Sequence, residues 1–578
     1  MPLVPIDVPP GVVKKATPLQ SAGRYWDANL VRWQAGKLLP VGGWSRIKAD
    51  PFPTIPTTIF SWNTNAGATL SLIGCEGGLY ALQGSIYTDV TPVGFQAPQF
   101  SGDGGYGAYD FGSLLYGDDT DATYPRPAPT QVFLVFSWTI DNWGGDALAV
   151  ASSDGRLLHF EEGEVQTHDV GTNGIVTAVR DSNIITVTTT DHVGFTSGDS
   201  VDVSGVSDAS MNGTFTIIDV LSQTTFTYAD VGSNATGSGG SVTSTIPVPA
   251  NNRGVVVTPE RHAVLFGSGG NSRRVAWSSQ EDYTDWDFAS ATTTSGYLDL
   301  DTTDAIIMAA SVREGTLIWT NNEAWLMRYV GLPYVYSIER IGFGCGLLSP
   351  KSFATTAGRC IWMGREGFWL YDGGVVKPLP CDVGAYVFSD VDPESGPVYS
   401  HGSDNGVFSE VWFWYPEIGS STPDRYVVYN YSEAWWSIGG MERSAASPAG
   451  VYRFPLTTDS EGNMYFQEDG WDAAGTPITT ERFAETASIN IQGGNSVTNV
   501  MQAITDSGAG YDSTQMTVYG AFTPSGVETE FGPYSPRPDG YTDMRAVGRD
   551  FRIKIESTKD AEWSIGQTRL DIMQGGRR

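Results

Sequence analysis

Basic residues are scarce. Lys and Arg number 34 against 65 Asp and Glu, which leaves a formal net charge of −31 over 578 residues. Charged residues of both signs make up only 17% of the chain, below the ~25% of an ordinary soluble protein, so the acidity comes from missing bases rather than abundant acids. A surface this negative repels phosphate and argues against tight nucleic-acid binding or anchoring on anionic lipid. Cysteine is also rare. Cys75, Cys345, Cys360 and Cys381 show no CxxC spacing, which speaks against a zinc site or a disulfide framework and for free, mostly buried thiols. The five histidines, His159, His168, His192, His262 and His401, form neither HxH nor HExxH. No metal is therefore expected, and His159 and His168 read as ordinary strand residues, packed or exposed. A GxSxG elbow and a phosphate-binding GxxxxGK[ST] loop are both missing, so no catalytic residue and no cofactor is assigned. No run approaches the ~18 apolar residues of a membrane span. The opening Met1-Pro2-Leu3-Val4-Pro5 has neither the basic nor the apolar region of a signal peptide.

Helical periodicity is almost lacking as well, and short alternating runs take its place. The chain holds 69 Gly, 32 Pro and 18 Trp, a composition of turns between many short strands rather than of disorder. The expected fold class is all-β. Four segments repeat one pattern, an acidic residue followed by Gly between two apolar strands: 72–82, 149–160, 361–371 and, more loosely, 459–466. Such turns favour tight hairpins in which Gly supplies a positive φ. Two degenerate copies run from Val255 to Trp277 and from Val411 to Asn430. Repeated hairpins of this kind predict a β-propeller body of five or six four-stranded blades, with a string of sandwiches as the rival.

Composition changes twice along the chain. Between 171 and 250 the composition shifts to Thr, Ser, Val and Gly and the aromatics thin out, and each strand has one apolar and one Thr-rich face, which predicts an inserted small β-domain. From 482 the hairpin repeat stops, and Phe551, Ile553 and Ile555 alternate with Arg552, Lys554 and Glu556. The expected organisation is an N-terminal platform segment at 1–50 and a propeller in two parts, 51–170 and 251–481. The insert, 171–250, separates those parts, and a C-terminal β platform domain follows at 482–578.

Two carboxylate-and-aromatic clusters, Glu281 to Trp286 and Glu433 to Trp436, are the best places to look for glycoside hydrolysis, which needs paired acids beside aromatic platforms. Packing is the favoured role for both, with receptor or glycan binding as the alternative and hydrolysis behind it. The long Gly/Tyr loop at 101–129 carries Asp103, Tyr106, Tyr109, Asp110, Asp118, Asp119 and Asp121. Loops beyond ~15 residues are commonly functional, and this one is expected at a subunit contact or in a channel.

The stretch from Gly11-Val12-Val13 through Thr17 to Trp33 and on to Gly42-Gly43-Trp44 resembles the start of short-tailed phage tail nozzle, or tail tubular, proteins of the B type. The Gly/Tyr loop, the segment from Val257 to Trp286 and the ending from Val547 to Arg578 are similar to the same family. The resemblance implies a non-enzymatic virion protein, assembled in the host cytoplasm. It implies a propeller with a platform formed by the chain ends, six copies of which make a tube continuing the portal and adaptor channel and carrying tail fibres or spikes. Phage DNA would pass through by weak contact, because an acidic lumen repels phosphate rather than binding it. Arg549, Arg552 and Lys554, with Arg577 and Arg578, are the expected docking face for the adaptor, the head-to-tail connector ring.

Overall fold

The structure is a computed structural model, and it describes residues 3–14, 18–48, 50–98, 135–190, 195, 197–222, 224–356, 358–491, 497–507, 510–523 and 526–575. Seven four-stranded antiparallel sheets follow one another along the chain. Blade 1 runs from Pro56–Asn63 to Ile86–Asp89, blade 2 from Trp138–Trp143 to His168–Asp169, and blade 3 from Gly254–Val257 to Gly296–Asp299. Blade 4 spans Ile306–Val312 to Val335–Phe343, blade 5 Phe353–Thr356 to Val376–Leu379, and blade 6 His401–Asn405 to Trp435–Gly440. Blade 7 combines Ala445–Ser447, Leu456–Thr458 and Met464–Gln467 with Trp44–Arg46 from near the N-terminus. The first strand of blade 7 touches that of blade 1, and most neighbouring blades meet the same way, so these strands surround a common axis. The body is a seven-bladed β-propeller, closed by the N-terminal strand pairing Arg46 with Tyr465 and Trp44 with Gln467.

Seven blades correct the expectation of five or six. Blade 4 escapes the repeat because Asn321-Asn322, not an acid and Gly, turns its second strand into its third. The turns themselves also differ: Gly155 and Gly462 take φ of 74° and 82°, whereas Gly77 and Gly367 are not in the left-handed region. Apolar strand faces fill the spaces between blades. Leu317, Trp319 and Trp362, all fully buried, belong to the core shared by blades 3, 4 and 5. Each large indole removes apolar area worth roughly 25 cal/mol per Å² from water.

Residues 172–244 form one seven-stranded sheet system with a private core that includes Ile185, Val201, Phe226 and Tyr228. It hangs between blades 2 and 3. The backbone N–H of Ser244 donates to the carbonyl of Gly171 at 2.9 Å, so its two ends lie side by side.

Both chain ends build a second pair of sheets. In one, Leu3–Ile6 and Lys37–Pro40 pair with Ile565–Gln574, which pairs in turn with Thr498–Ser507. In the other, Tyr25–Asn29 pairs with Phe483–Thr486, which leads on to Asp550–Ser557 and Thr514–Ala521. This platform shares a continuous core with blades 5 and 6, in which Trp33 meets Trp435 edge-on at 5.5 Å. Gly11, at φ 87°, lies where a Cβ would come within 2.7 Å of the Trp435 Cβ, so only glycine permits the approach. Among the described residues no helix is long and apolar enough to cross a membrane.

Candidate functional site

The joint between platform and propeller is ionic at its centre. Arg32, on the strand Val31–Gln34, is 3% exposed. Its Nε and Nη2 donate to the two oxygens of Glu410 at 3.0 Å each, and Nη1 donates to Glu468 Oε2 at 3.1 Å. A further bond joins Nη2 to Glu468 Oε1. Glu410 belongs to blade 6, and Glu468 directly follows the last C-terminal strand of blade 7. Burial opposes the Arg32 charge, but Glu410 and Glu468 more than offset it and raise the guanidinium above its usual value. Burial likewise pushes Glu410 up, against the pull of Arg32. The fork geometry of Arg suits two carboxylates at once, which a Lys point charge would not reproduce. Arg482, fully buried, ties the same region together by donating to the carbonyls of Val41 and Trp471 and to Asp560.

A second polar centre lies at the propeller axis. Thr57, Lys351, Ser400, His401 and Ser444 line a cavity of ≈ 20 Å³, enough for about one water molecule. A neighbouring cavity of ≈ 160 Å³ lies along the first strands of blades 1, 5 and 6 and beside Asp404. Burial lowers the Lys351 ammonium to about 7, and no carboxylate among the described residues forms an ion pair with it. Burial also lowers His401 to about 4; its ring stacks on Trp414 at 5.1 Å and its Nδ1 lies 3.2 Å from the Tyr399 carbonyl. Asp404 moves the other way, to about 6, again by burial. Burial thus shifts all three axial groups towards their uncharged forms.

Two of the expected docking residues, Arg552 and Lys554, are paired with acids. Arg552 pairs with Glu485 and with Glu528, at 2.7 Å from Nη2 to Oε2, and lies over the Tyr519 ring. Lys554 Nζ sits 2.6 Å from Glu556 Oε2 and over Phe483. Both cations are thus paired with acids on the neighbouring strand, the same strand, or the residue before Thr529–Tyr534. The Arg549 backbone N–H donates to Ala521 at 2.7 Å, and Arg577 and Arg578 lie outside the described residues. Asp103, Tyr106, Tyr109, Asp110, Asp118, Asp119 and Asp121 lie outside them too.

The two hydrolase candidates resolve into turns and packing. Asp282 accepts from the Thr284 N–H at 2.9 Å, Asp285 from that of Asp287 at 3.1 Å, and Glu433 from that of Ala35 at 2.9 Å. Trp286, Trp435 and Trp436 are core residues, 2%, 5% and 3% exposed, and offer no sugar platform. The four cysteines are free, three buried and Cys381 half-buried. Sequence spacing hid one constellation: His159 and His168 face each other across the outer two strands of blade 2, with Glu164 beside them.

The fold and these joints define a β-propeller protein with an appended chain-end platform and an inserted β-module. Neither a protein-family model nor a curated relative matches the chain. Among solved structures it is similar to BamB from Moraxella catarrhalis, at 11% identity and a TM-score of 0.33 over 73% of this chain and 99% of that one. It is similar also to the Neurospora crassa Pan2 WD40 domain, at 7% identity and a TM-score of 0.27 over 58% and 90% of the two chains. A third is the phage phi92 endosialidase, at 10% identity and a TM-score of 0.25 over 90% and 69%. The propeller stands on its own seven sheets, not on these slight likenesses.

Proposed function

We propose that the chain is a structural subunit of a phage tail, part of a distal tube that conducts and retains genomic DNA and bears fibres or spikes. The observation that carries this reading is the platform: strands from the first 40 residues and from residue 483 onward complete the same two sheets beside a propeller. That is the architecture implied by the resemblance of the two chain ends to tail nozzle proteins. A propeller alone would bind a partner on one face, whereas a propeller with a rigid second body offers two separate surfaces for lateral and axial contacts. The net charge of −31 suits DNA in transit, since a wall poor in Lys and Arg forms few counterion-releasing contacts with phosphate. Arg552 and Lys554 are already paired with Glu485, Glu528 and Glu556, so an adaptor contact there would not rest on unpaired positive charge.

Purified chain and purified particles test the proposal together. Mass photometry of the chain with its adaptor ring should show six copies joining, and antibodies raised against it should label the tail tip. Labelling of scattered surface appendages, or glycan cleavage by the isolated chain, would refute it.

A further inference from the structure

Blade 2 ends in an outer strand of only two residues, His168–Asp169, and the seven residues before it form the loop 161–167. So short an edge holds few ladder bonds, yet four side chains converge on it. His159, on Leu158–Phe160, is the register partner of His168. The Nδ1 of His159 lies 3.1 Å from Nε2 of His168, and both rings are buried, 3% and 7% exposed. On the far side of His159, Nε2 lies 3.2 Å from Asp146 Oδ2. His168 Nδ1 also lies 3.4 Å from Glu164 Oε1. Glu164 is itself held in place, because its other oxygen accepts from the Glu161 N–H at 3.0 Å. Tyr283 of the adjoining blade 3 loop stacks flat on His159 at 5.2 Å, fixing that ring's plane.

We propose that a divalent transition-metal ion of the zinc class is bound here by His159, His168 and Glu164. One ligand atom from each of the three lies within 4.8 Å of the others. Two nitrogens 3.1 Å apart suit two corners of a tetrahedron around an ion with bonds of about 2.0–2.1 Å. Imidazole and carboxylate donors favour zinc and its neighbours over calcium or magnesium, which take oxygen. Asp146 fills the supporting role of a carboxylate on the distal imidazole nitrogen, where it fixes tautomer and orientation. It is not a ligand. Partial exposure of Asp146 and Glu164, 34% and 20%, leaves a side from which water completes the shell. The site is a clasp: it fastens the short outer strand of blade 2 to its neighbour, three residues before the insert begins at Thr172.

The test uses the untagged chain, stripped with EDTA, gel-filtered, and loaded with Zn²⁺ or Co²⁺. The expected result is one zinc per chain by elemental analysis, a visible tetrahedral Co²⁺ spectrum, and a rise in Tm on loading. His159→Gln with His168→Gln should abolish all three, and Glu164→Gln, a milder change that leaves the buried rings intact, should weaken zinc binding. Asp146→Asn should weaken binding by about 10- to 100-fold without removing the Co²⁺ spectrum. Circular dichroism establishes that each variant is folded. Failure of the folded wild-type chain to retain zinc, or equal retention by the double variant, would overturn the proposal and leave the tail reading untouched.

Discussion

The insert and the platform are both additions to the propeller, and they are attached in opposite ways. The insert is continuous in sequence, its ends are hydrogen-bonded neighbours, and its core is its own. The platform is assembled from the two chain ends, shares its core with blades 5 and 6, and is joined to blades 6 and 7 through a buried guanidinium. Composition follows attachment. Residues 171–250 contain no Trp, no Lys and a single Arg, Arg180, which is buried against Asp230, whereas the platform joint is built around Trp33, Trp435 and Arg32. A module that folds on its own packs small β-branched residues around a few rings, while a joint between distant segments uses indoles and charge pairs that cannot be satisfied until all partners arrive.

The comparison breaks most visibly at Arg32. Arg32→Ala leaves Glu410 and Glu468 buried together without their counter-charge, and the expected loss is about 3–5 kcal/mol, read as a large drop in the denaturant midpoint of the whole propeller-platform unit. Loss confined to residues 3–46 in hydrogen exchange would show the joint to be peripheral. Ile185→Ala, in the insert core, should cost about 2–5 kcal/mol, but exchange should rise only within 172–244. If the blades lost protection equally, the insert would not be autonomous.

Acid acts on the propeller itself. His401 has its folded value depressed to about 4 from 6.5, so the unfolded chain binds more protons in between and stability falls as pH drops through that window. Asp141 and Asp404, raised to about 6 by burial, act oppositely: the folded chain binds more protons between 3.8 and 6, and their contribution is lost as pH rises. His401→Gln should therefore remove an acid-dependent loss of about 3 kcal/mol from the propeller. Urea titrations of variant and wild type across pH 6.5 to 4 measure it; parallel curves would rule out His401 as the source. Excision of 172–244 behind a short Gly-Ser link should shift the Tm of the remaining body by only a few degrees, since no blade core is opened. A collapse to insoluble material would contradict separate folding. The smallest effect belongs to the exposed pair Arg328–Glu339 on blade 4, where Arg328→Ala should change stability by less than about 1 kcal/mol.

Local chemistry made much of this legible and topology hid the rest. Acid-Gly turns marked hairpins in blades 1, 2, 5 and 7, each within a dozen residues, and the thinning of aromatics marked the insert over one continuous stretch. Blade 4 used Asn321-Asn322 and left no such signal. The closing strand Trp44–Arg46 pairs some 420 residues away in the sequence, a distance over which no periodicity carries information. Arg552 and Lys554 looked like a basic face because alternation shows what lies along a strand but not what lies across it, and Glu485 and Glu528 lie across it. His159 and His168 were discounted for the same reason: nine residues apart is no metal-ligand spacing on a helix, but it is what a seven-residue loop between two paired strands produces.

Cryo-electron microscopy of the tail tests the central proposal most directly. Six copies of a seven-bladed propeller should surround the tail axis, with the platforms in mutual contact and the inserts projecting from the flank. Density that placed the propeller off the axis, as an isolated appendage with no continuous lumen, would contradict it.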